Sequence, residues 1–123
     1  MSLSVAIIGA SHKPQRYAYQ AQQMLMDGGY PVYPVSGNGR EILGVAGYSS
    51  VNEISDTIDT VTLYLNAQRH QAIKQDVLKL KPRRIIFNPG TESADLEKFY
   101  QDQGIETLQA CTLVLLRTGQ FED

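Results

Sequence analysis

The sequence lacks most features of secreted, membrane-spanning and nucleic-acid-binding proteins. It has one cysteine, Cys111, so no disulfide can form within the chain. Its apolar runs are far shorter than the roughly 20 residues that a membrane helix needs, and no signal-peptide pattern opens the chain. The net charge of −2 creates no overall field that attracts nucleic acid or an anionic membrane. We therefore expect a cytoplasmic protein that binds neither nucleic acid nor membranes.

The chain does contain a regular alternation of strand-like and helix-like segments. Apolar and β-branched runs predict strands at Ser4–Ile8, Val32–Val35, Thr60–Leu65, Arg84–Phe87 and Ile105–Leu108. Apolar residues spaced three or four apart predict helices at Arg16–Asp27, Ala67–Leu80, Glu92–Gln103 and Cys111–Arg117. Gly44–Tyr48 fits either a small extra strand or an irregular segment. The alternation predicts one α/β domain over residues 1–123, a doubly wound, mostly parallel sheet of about five strands with helices on both faces.

The first predicted strand breaks into Gly9-Ala10-Ser11 just before the first helix. Backbone N–H groups at a helix start lack intrahelical partners and attract anions. Lys13 and Arg16 follow this loop and can neutralise phosphate groups. The loop therefore predicts a site for a phosphorylated ligand. The alternative is a tight strand-to-helix turn that needs only a small residue and a cap.

The same region argues against an ordinary dinucleotide. Ser11 and Gln15 stand where the dinucleotide fingerprint requires further glycines, and no Walker Gly-Lys-Ser/Thr sequence follows. NAD sites usually carry an acidic residue after the second strand, whereas Ser36 stands there in this chain. A cation, Arg40, comes a few residues later. These features favour an anionic ligand and make NAD or NADP a weaker candidate.

Several short motifs occur along the chain in a characteristic order. They are Gly9-Ala10-Ser11 with Pro14 and Tyr17-Ala18-Tyr19, then Val32-Tyr33-Pro34-Val35, Glu41-Ile42-Leu43-Gly44, Asp59-Thr60-Val61, and Asn88-Pro89-Gly90-Thr91-Glu92. Together, from Val5 to Arg117, they resemble the CoA-binding domain family of small bacterial proteins. That family is similar to the N-terminal domain of the succinyl-CoA synthetase alpha subunit. The resemblance implies a Rossmann-like fold and CoA as the ligand.

The resemblance also implies which residues contact the ligand. They are Gly9, Ala10 and Ser11 at the phosphates; Pro34, Val35 and Arg40 near the adenine and the 3′-phosphate; Tyr64 and Leu65 along the adenosine or pantetheine path; and Asn88, Pro89 and Gly90 at the next edge. Lys13 and Tyr17, beside the first loop, join this set because a cation suits phosphate and an aromatic ring can flank adenine or pantetheine. The alternative for Tyr17 is an ordinary core position on a helix.

The sequence offers few groups for catalysis. No acidic residue is placed to orient His12, so we expect it in solvent, the alternative being a phosphate contact or a base in the first loop. We expect His70 at the surface. Cys111 is predicted to be a small buried side chain, the alternative being a reactive thiolate at a helix start. No carboxylate pair and no His/Cys cluster has the spacing of a catalytic dyad or a metal site. We therefore predict no catalytic and no metal-binding residues.

These observations predict a protein that binds CoA or an acyl-CoA without catalysis of its own. Two alternatives remain. One is an enzyme or enzyme subunit that uses CoA or another nucleotide. The other is a Rossmann-like domain with a degenerate ligand site that acts through protein contacts. The sequence also leaves open a homo-oligomer or a protein partner.

Overall fold

Strands and helices alternate along residues 3–122, the part of the chain that this computed structural model describes. The strands are β1 (Val5–Ile8), β2 (Val32–Val35), β3 (Thr60–Leu63), β4 (Arg84–Phe87) and β5 (Glu106–Gln109). The helices are α1 (Tyr17–Asp27), α2 (Ala67–Lys79), α3 (Ala94–Gln101) and α4 (Thr112–Arg117), and a 3₁₀ turn spans Val51–Glu53. None of the described helices is long and apolar enough to cross a membrane.

The five strands form one sheet in the order β2-β1-β3-β4-β5, and every pair of neighbours is parallel. The predicted α/β fold is confirmed, with a fully parallel sheet in place of a mostly parallel one. The strand order reverses at β1, where Val5 pairs with Val32 on one side and with Thr60 on the other. In open α/β sheets, ligands bind at the carboxyl ends of the strands beside such a reversal.

Each face of the sheet is covered by a separate apolar core. On β1, Ala6 and Ile8 belong to the core that also holds buried residues of α2 and α3. Val5 and Ile7 belong to the opposite core, which includes residues of α1 and α4. All four β1 side chains are essentially inaccessible to solvent. Burial on both faces explains why β1 is a continuous apolar run and not an alternating one.

Some element boundaries differ from the prediction because local hydrogen bonds set them. Helix α3 begins two residues later than predicted, because the Ser93 hydroxyl accepts from the Leu96 N–H at 3.2 Å and caps the helix there. Strand β3 ends at Leu63, two residues earlier than predicted. The segment Gly44–Tyr48 is irregular and makes only isolated bridges, one of which joins Tyr48 to Val35.

The expected surface position of His70 is wrong. His70 lies on α2 with no exposed area, stacked against Tyr100 and tilted against Phe87. Its Nε2 lies 2.7 Å from the Tyr100 hydroxyl, while its Nδ1 has no partner among the described residues. Burial lowers the pKa of His70 to about 4, because the charged imidazolium is poorly solvated there. The side chain is therefore a neutral member of the core.

His70 should make the stability of the protein fall on acidification. Its pKa is about 4 in the folded chain against 6.5 for an ordinary histidine, so the unfolded chain binds a proton first as the pH falls. The stabilisation is present above pH 6.5 and is lost towards pH 4, by about 2–3 kcal/mol. We expect His70→Gln to lower stability at pH 7 but to flatten this pH dependence, as measured by urea unfolding from pH 4 to 8. Equal slopes in both proteins would contradict the prediction.

Candidate functional site

Three adjoining hollows form a groove along the carboxyl edge of the sheet. The first has a volume of about 460 Å³, the middle one about 270 Å³ and the third about 350 Å³. Tyr64, which follows β3, lines all three, so the hollows meet around its side chain. Gly9, which follows β1, lines the first two. The groove therefore lies where the strand order reverses.

The first hollow extends from the end of β2 to the start of α2. Its apolar lining includes Val35, Val51 and Ile73. Its polar lining includes two arginines and three serines: Arg16, Arg69, Ser36, Ser49 and Ser50. The residues that line this hollow include no Asp or Glu. A hollow with this lining suits a ligand that combines an apolar ring with a negatively charged group.

A carboxylate does bond to two of these serines from the 3₁₀ turn. Oε1 of Glu53 accepts from the Ser49 N–H at 2.7 Å, the Ser49 hydroxyl at 3.0 Å and the Ser50 N–H at 3.3 Å. These hydrogen bonds, chiefly the one from the Ser49 backbone, lower the pKa of Glu53. The Ser50 hydroxyl in turn accepts from the Asn52 N–H, which completes a capping box between Ser50 and Glu53.

Between the first and middle hollows, the chain turns sharply after β1. Gly9 has a φ of +90°, and a Cβ atom there would lie 2.8 Å from the carbonyl carbon and oxygen of Tyr64. The N–H groups of Gly9 and Ala10 both donate to the Val35 carbonyl, at 3.0 and 2.9 Å. These two donors, which we expected to face an anion, are therefore occupied within the protein. The glycine is needed for close packing of β1 against the end of β3.

The unpaired donors lie further along, at the start of α1. Arg16 is the N-cap residue, and no side chain caps this helix. Within residues 3–122, the N–H groups of Tyr17 and Ala18 have no acceptor. Both residues line the middle hollow, together with Ser11, Lys13 and Arg16. An uncapped helix start with two adjacent cations attracts an anion of phosphate size.

The third hollow lies between the start of α1 and the start of α4. Its lining includes Tyr17, Gln20, Tyr64, Asn88, Pro89, Cys111, Leu113 and Arg117. Cys111 is half-buried at the N-cap of α4, not fully buried as expected. Tyr17, expected in the site or the core, is 70% exposed. This end of the groove therefore combines apolar and polar side chains with one thiol, Cys111, and one cation, Arg117.

Asn88 holds the floor of the third hollow in place. Its amide nitrogen donates to the Thr62 hydroxyl at 2.7 Å and to the Leu63 carbonyl at 2.9 Å. Its amide oxygen accepts from the Thr112 N–H at 2.8 Å. Asn88 is buried, so these bonds tie β3, β4 and the start of α4 together in a protected environment. Its side chain positions the groove, and direct contact with a ligand stays a prediction.

The Tyr64 hydroxyl remains protonated over the physiological pH range. Burial is the main cause that raises its pKa to about 12. Tyr64 therefore places a neutral aromatic side chain at the junction of the three hollows. It is suited to contact a ligand and not to act as a base.

The predicted site residues fall into two sets. The structure brings ten of them to the groove: Gly9, Ala10, Ser11, Lys13, Tyr17, Val35, Tyr64, Leu65, Asn88 and Pro89. It places Pro34, Arg40 and Gly90 outside the residues that line the three hollows. Pro34 is buried in β2 opposite Ile7. Arg40 approaches His12 on the exposed surface, with its Nη1 3.4 Å from the Nε2 of His12.

The sequence prediction missed a second set of residues that line the groove. Arg69 and Ile73 reach it from α2, Ser49 and Ser50 from the loop before the 3₁₀ turn, and Gln20, Leu113 and Arg117 from α1 and α4. The one available signal was Asn66, which caps α2 and places Arg69 one turn into a helix that starts at the sheet edge. Within residues 3–122, no three His, Cys, Asp or Glu side chains are grouped to hold a metal ion.

The sequence is similar to a described protein family and to a curated protein. The sequence profile described as CoA binding domain matches residues 3–117. The uncharacterized protein YneT of Bacillus subtilis (strain 168) is 30% identical over 78 residues, which is 63% of this chain and 58% of YneT. The chain thus spans less than two thirds of that curated relative.

Solved structures agree in fold. The crystal structure of an uncharacterized protein is 39% identical, with a TM-score of 0.93 over 98% of this chain and 99% of the other. A dinucleotide-forming acetyl-coenzyme A synthetase of Ca. Korarchaeum cryptofilum, solved with phosphate and ADP, is 20% identical with a TM-score of 0.73. That match covers 87% of this chain and 25% of the synthetase, and it supports the fold alone.

The close approach at Gly9 predicts an unusual sensitivity to a single methyl group. We expect Gly9→Ala to lower the free energy of unfolding by about 1–3 kcal/mol more than Gly29→Ala. Both glycines have a positive φ, +90° and +84°, but a Cβ at Gly29 would meet nothing within 4 Å. The difference between the two variants in urea unfolding therefore isolates the contact with Tyr64. Equal losses would show that backbone conformation alone requires glycine at position 9.

Proposed function

The chain belongs to the CoA-binding domain family, and on this premise we propose that it binds CoA or an acyl-CoA along the groove, without catalysis of its own. The observation that carries the proposal is the uncapped start of α1 beside Lys13 and Arg16 in the middle hollow. The groove continues from there in both directions. An anion site with an extension on each side suits a pyrophosphate joined to two different groups.

The middle hollow suits the pyrophosphate on electrostatic grounds. The N–H groups of Tyr17 and Ala18 point out of an uncapped helix whose positive end lies there. Lys13 and Arg16 add two full charges, and Arg16 also lines the first hollow. Bonds between charged groups and phosphate oxygens are roughly twice as strong as bonds between neutral groups. We therefore assign the two phosphates to this hollow.

The two outer hollows differ in ways that give the ligand a direction. The first is the larger, at about 460 Å³ against 350 Å³, and combines apolar side chains with two guanidinium groups. It suits an adenine ring with a phosphorylated ribose. The third lies beside Pro89 and Leu113 and ends near the Cys111 thiol. It suits the uncharged pantetheine arm.

The composition of the first hollow also supports CoA over NAD. A carboxylate after the second strand usually accepts the ribose hydroxyls of NAD. Here Ser36 and Gly37 line the hollow after β2, and its lining residues include no Asp or Glu. A ribose that carries a phosphate is better matched by the guanidinium groups of Arg16 and Arg69.

One observation favours the enzymatic alternative. Cys111 is a half-buried nucleophile in the third hollow, where we place the thiol or thioester end of the ligand. Neither histidine accompanies it there, since His12 is exposed beside Arg40 and His70 is buried in the opposite core. A cysteine nucleophile usually depends on a neighbouring base, so we retain binding as the proposed function.

The proposal predicts selective stabilisation by CoA. A ligand at 100 times its Kd adds about 2.7 kcal/mol to folding stability, which raises Tm by several degrees in a domain of this size. In a thermal-shift panel, we expect CoA and acetyl-CoA to raise Tm more than NAD, NADP or ATP at equal concentration. The absence of a shift with every CoA species at millimolar concentration would overturn the proposal.

A substitution at Ser11 tests whether the ligand occupies the middle hollow. Ser11 is half-buried there, with its hydroxyl accepting from the Lys13 N–H at 3.1 Å. We expect Ser11→Tyr to weaken CoA binding at least tenfold, because the larger side chain fills the hollow. Ser55→Tyr is the matched control, since Ser55 is exposed and lines none of the three hollows. Calorimetry should show unchanged affinity in the control, and unchanged affinity in Ser11→Tyr would place the ligand elsewhere.

A further inference from the structure

Arg69 is held at the wall of the first hollow by the start of α2. The Asn66 side chain caps this helix by accepting from the Arg69 N–H at 2.9 Å, which sets the backbone from which the side chain extends. The residue is exposed and lines the first hollow. Its guanidinium has no acceptor and no ion pair within the part of the chain that the structure describes. Its five donors are therefore available to a ligand.

The other cations near the groove have different positions. Lys13 lines the middle hollow, and Arg16 lines both the middle and the first. Arg40 lines none of the three hollows and lies against His12. Arg69 is thus the cation of the first hollow that the middle hollow does not share. A second anionic group, separate from the pyrophosphate, has a partner here.

A hydroxyl donor lies in the same wall. The Ser36 hydroxyl donates to Asn38, and the Ser49 hydroxyl donates to Glu53. The Ser50 hydroxyl accepts from the Asn52 N–H, and its own proton has no acceptor among residues 3–122. The Glu53 carboxylate would repel an anion, but it already accepts hydrogen bonds from the N–H groups of Ser49 and Ser50. The hollow therefore keeps a guanidinium and a hydroxyl for an incoming acceptor.

Resting on the proposed function, we infer that Arg69 recognises a phosphate on the ribose of the ligand and makes the site selective for 3′-phosphorylated adenosine. A guanidinium stays charged at every physiological pH and binds phosphate through two parallel N–H donors. Arg69 then has the role that the family resemblance gave to Arg40. An unphosphorylated ribose leaves this guanidinium without a partner, so discrimination follows from a lost charge-assisted hydrogen bond.

Binding of CoA and 3′-dephospho-CoA by calorimetry tests this inference, because the two ligands differ in one phosphate. In the unsubstituted protein we expect CoA to bind at least tenfold more tightly. In Arg69→Gln we expect this preference to fall to about twofold or less, with affinity for 3′-dephospho-CoA nearly unchanged. Arg69→Lys, which keeps the charge but not the paired donors, should retain part of the preference. Arg40→Gln is the matched control and should retain all of it.

The outcomes separate this inference from the proposed function. Suppose that CoA binds, and that Arg69→Gln keeps the full preference for CoA over 3′-dephospho-CoA or Arg40→Gln loses it. Arg69 then does not recognise the 3′-phosphate, although CoA is the ligand. Equal loss of affinity for both ligands in Arg69→Gln also overturns the inference, because it shows a general effect on the site. Tighter binding of NADP, whose phosphate is on the 2′ position, or no binding of either CoA species, overturns the proposed function together with the inference.

Discussion

The ligand edge of this protein depends on the hydrogen bonds that the Val35 carbonyl accepts. This one oxygen takes the N–H groups of both Gly9 and Ala10, at 3.0 and 2.9 Å, and so joins the ends of β1 and β2. The chain can make this turn only because Gly9 has no side chain to meet the backbone of Tyr64. The same turn uses the donors nearest to β1 and leaves those at the start of α1, Tyr17 and Ala18, without partners. A packing constraint thereby decides which N–H groups beside the groove stay unpaired.

A second set of bonds holds the other side of the groove. Asn88 joins β3, β4 and α4 through three hydrogen bonds, and the hydroxyls of Thr62 and Thr112 lie 2.8 Å apart beside it. Buried polar groups of this kind stabilise a fold only when each is satisfied, as these are. They keep the start of α4, with Cys111, at a set position next to Tyr64. The groove therefore lies between two edges that hydrogen bonds hold together, with an exposed Tyr17 at its margin.

The charge of the groove is local and differs from that of the whole chain. The protein has 11 Lys and Arg residues against 13 Asp and Glu residues, a net charge of −2. The residues that line the three hollows nevertheless include Lys13, Arg16, Arg69 and Arg117 and no Asp or Glu. Net charge indicates which large partners a protein attracts, whereas the lining of a cleft determines which small ligand it holds. A weakly acidic protein can therefore have a groove whose charged lining residues are all cationic.

The sequence alone determined the alternation of strands and helices, the α/β class and the edge at which a ligand site should lie. These follow from hydrophobic periodicity and from the rule that parallel sheets bind ligands at their carboxyl ends. Most of the predicted groove residues, from Gly9 to Pro89, were implied by the family resemblance, and most of them follow strands of the sheet. Strands and helices depend mainly on residues close together in the chain, so the sequence pattern of each segment predicts them.

The tertiary structure decided what each residue is available to do. The N–H groups of Gly9 and Ala10 are taken by an oxygen on another strand, and His70 is enclosed by Phe87 and Tyr100 from β4 and α3. Arg69, one turn into α2, comes to the groove, whereas Arg40 turns to His12. These outcomes depend on contacts between residues far apart in the chain. No spacing within the sequence reports them, because hydrogen-bond partners and burial are set only when the sheet and its helices pack together.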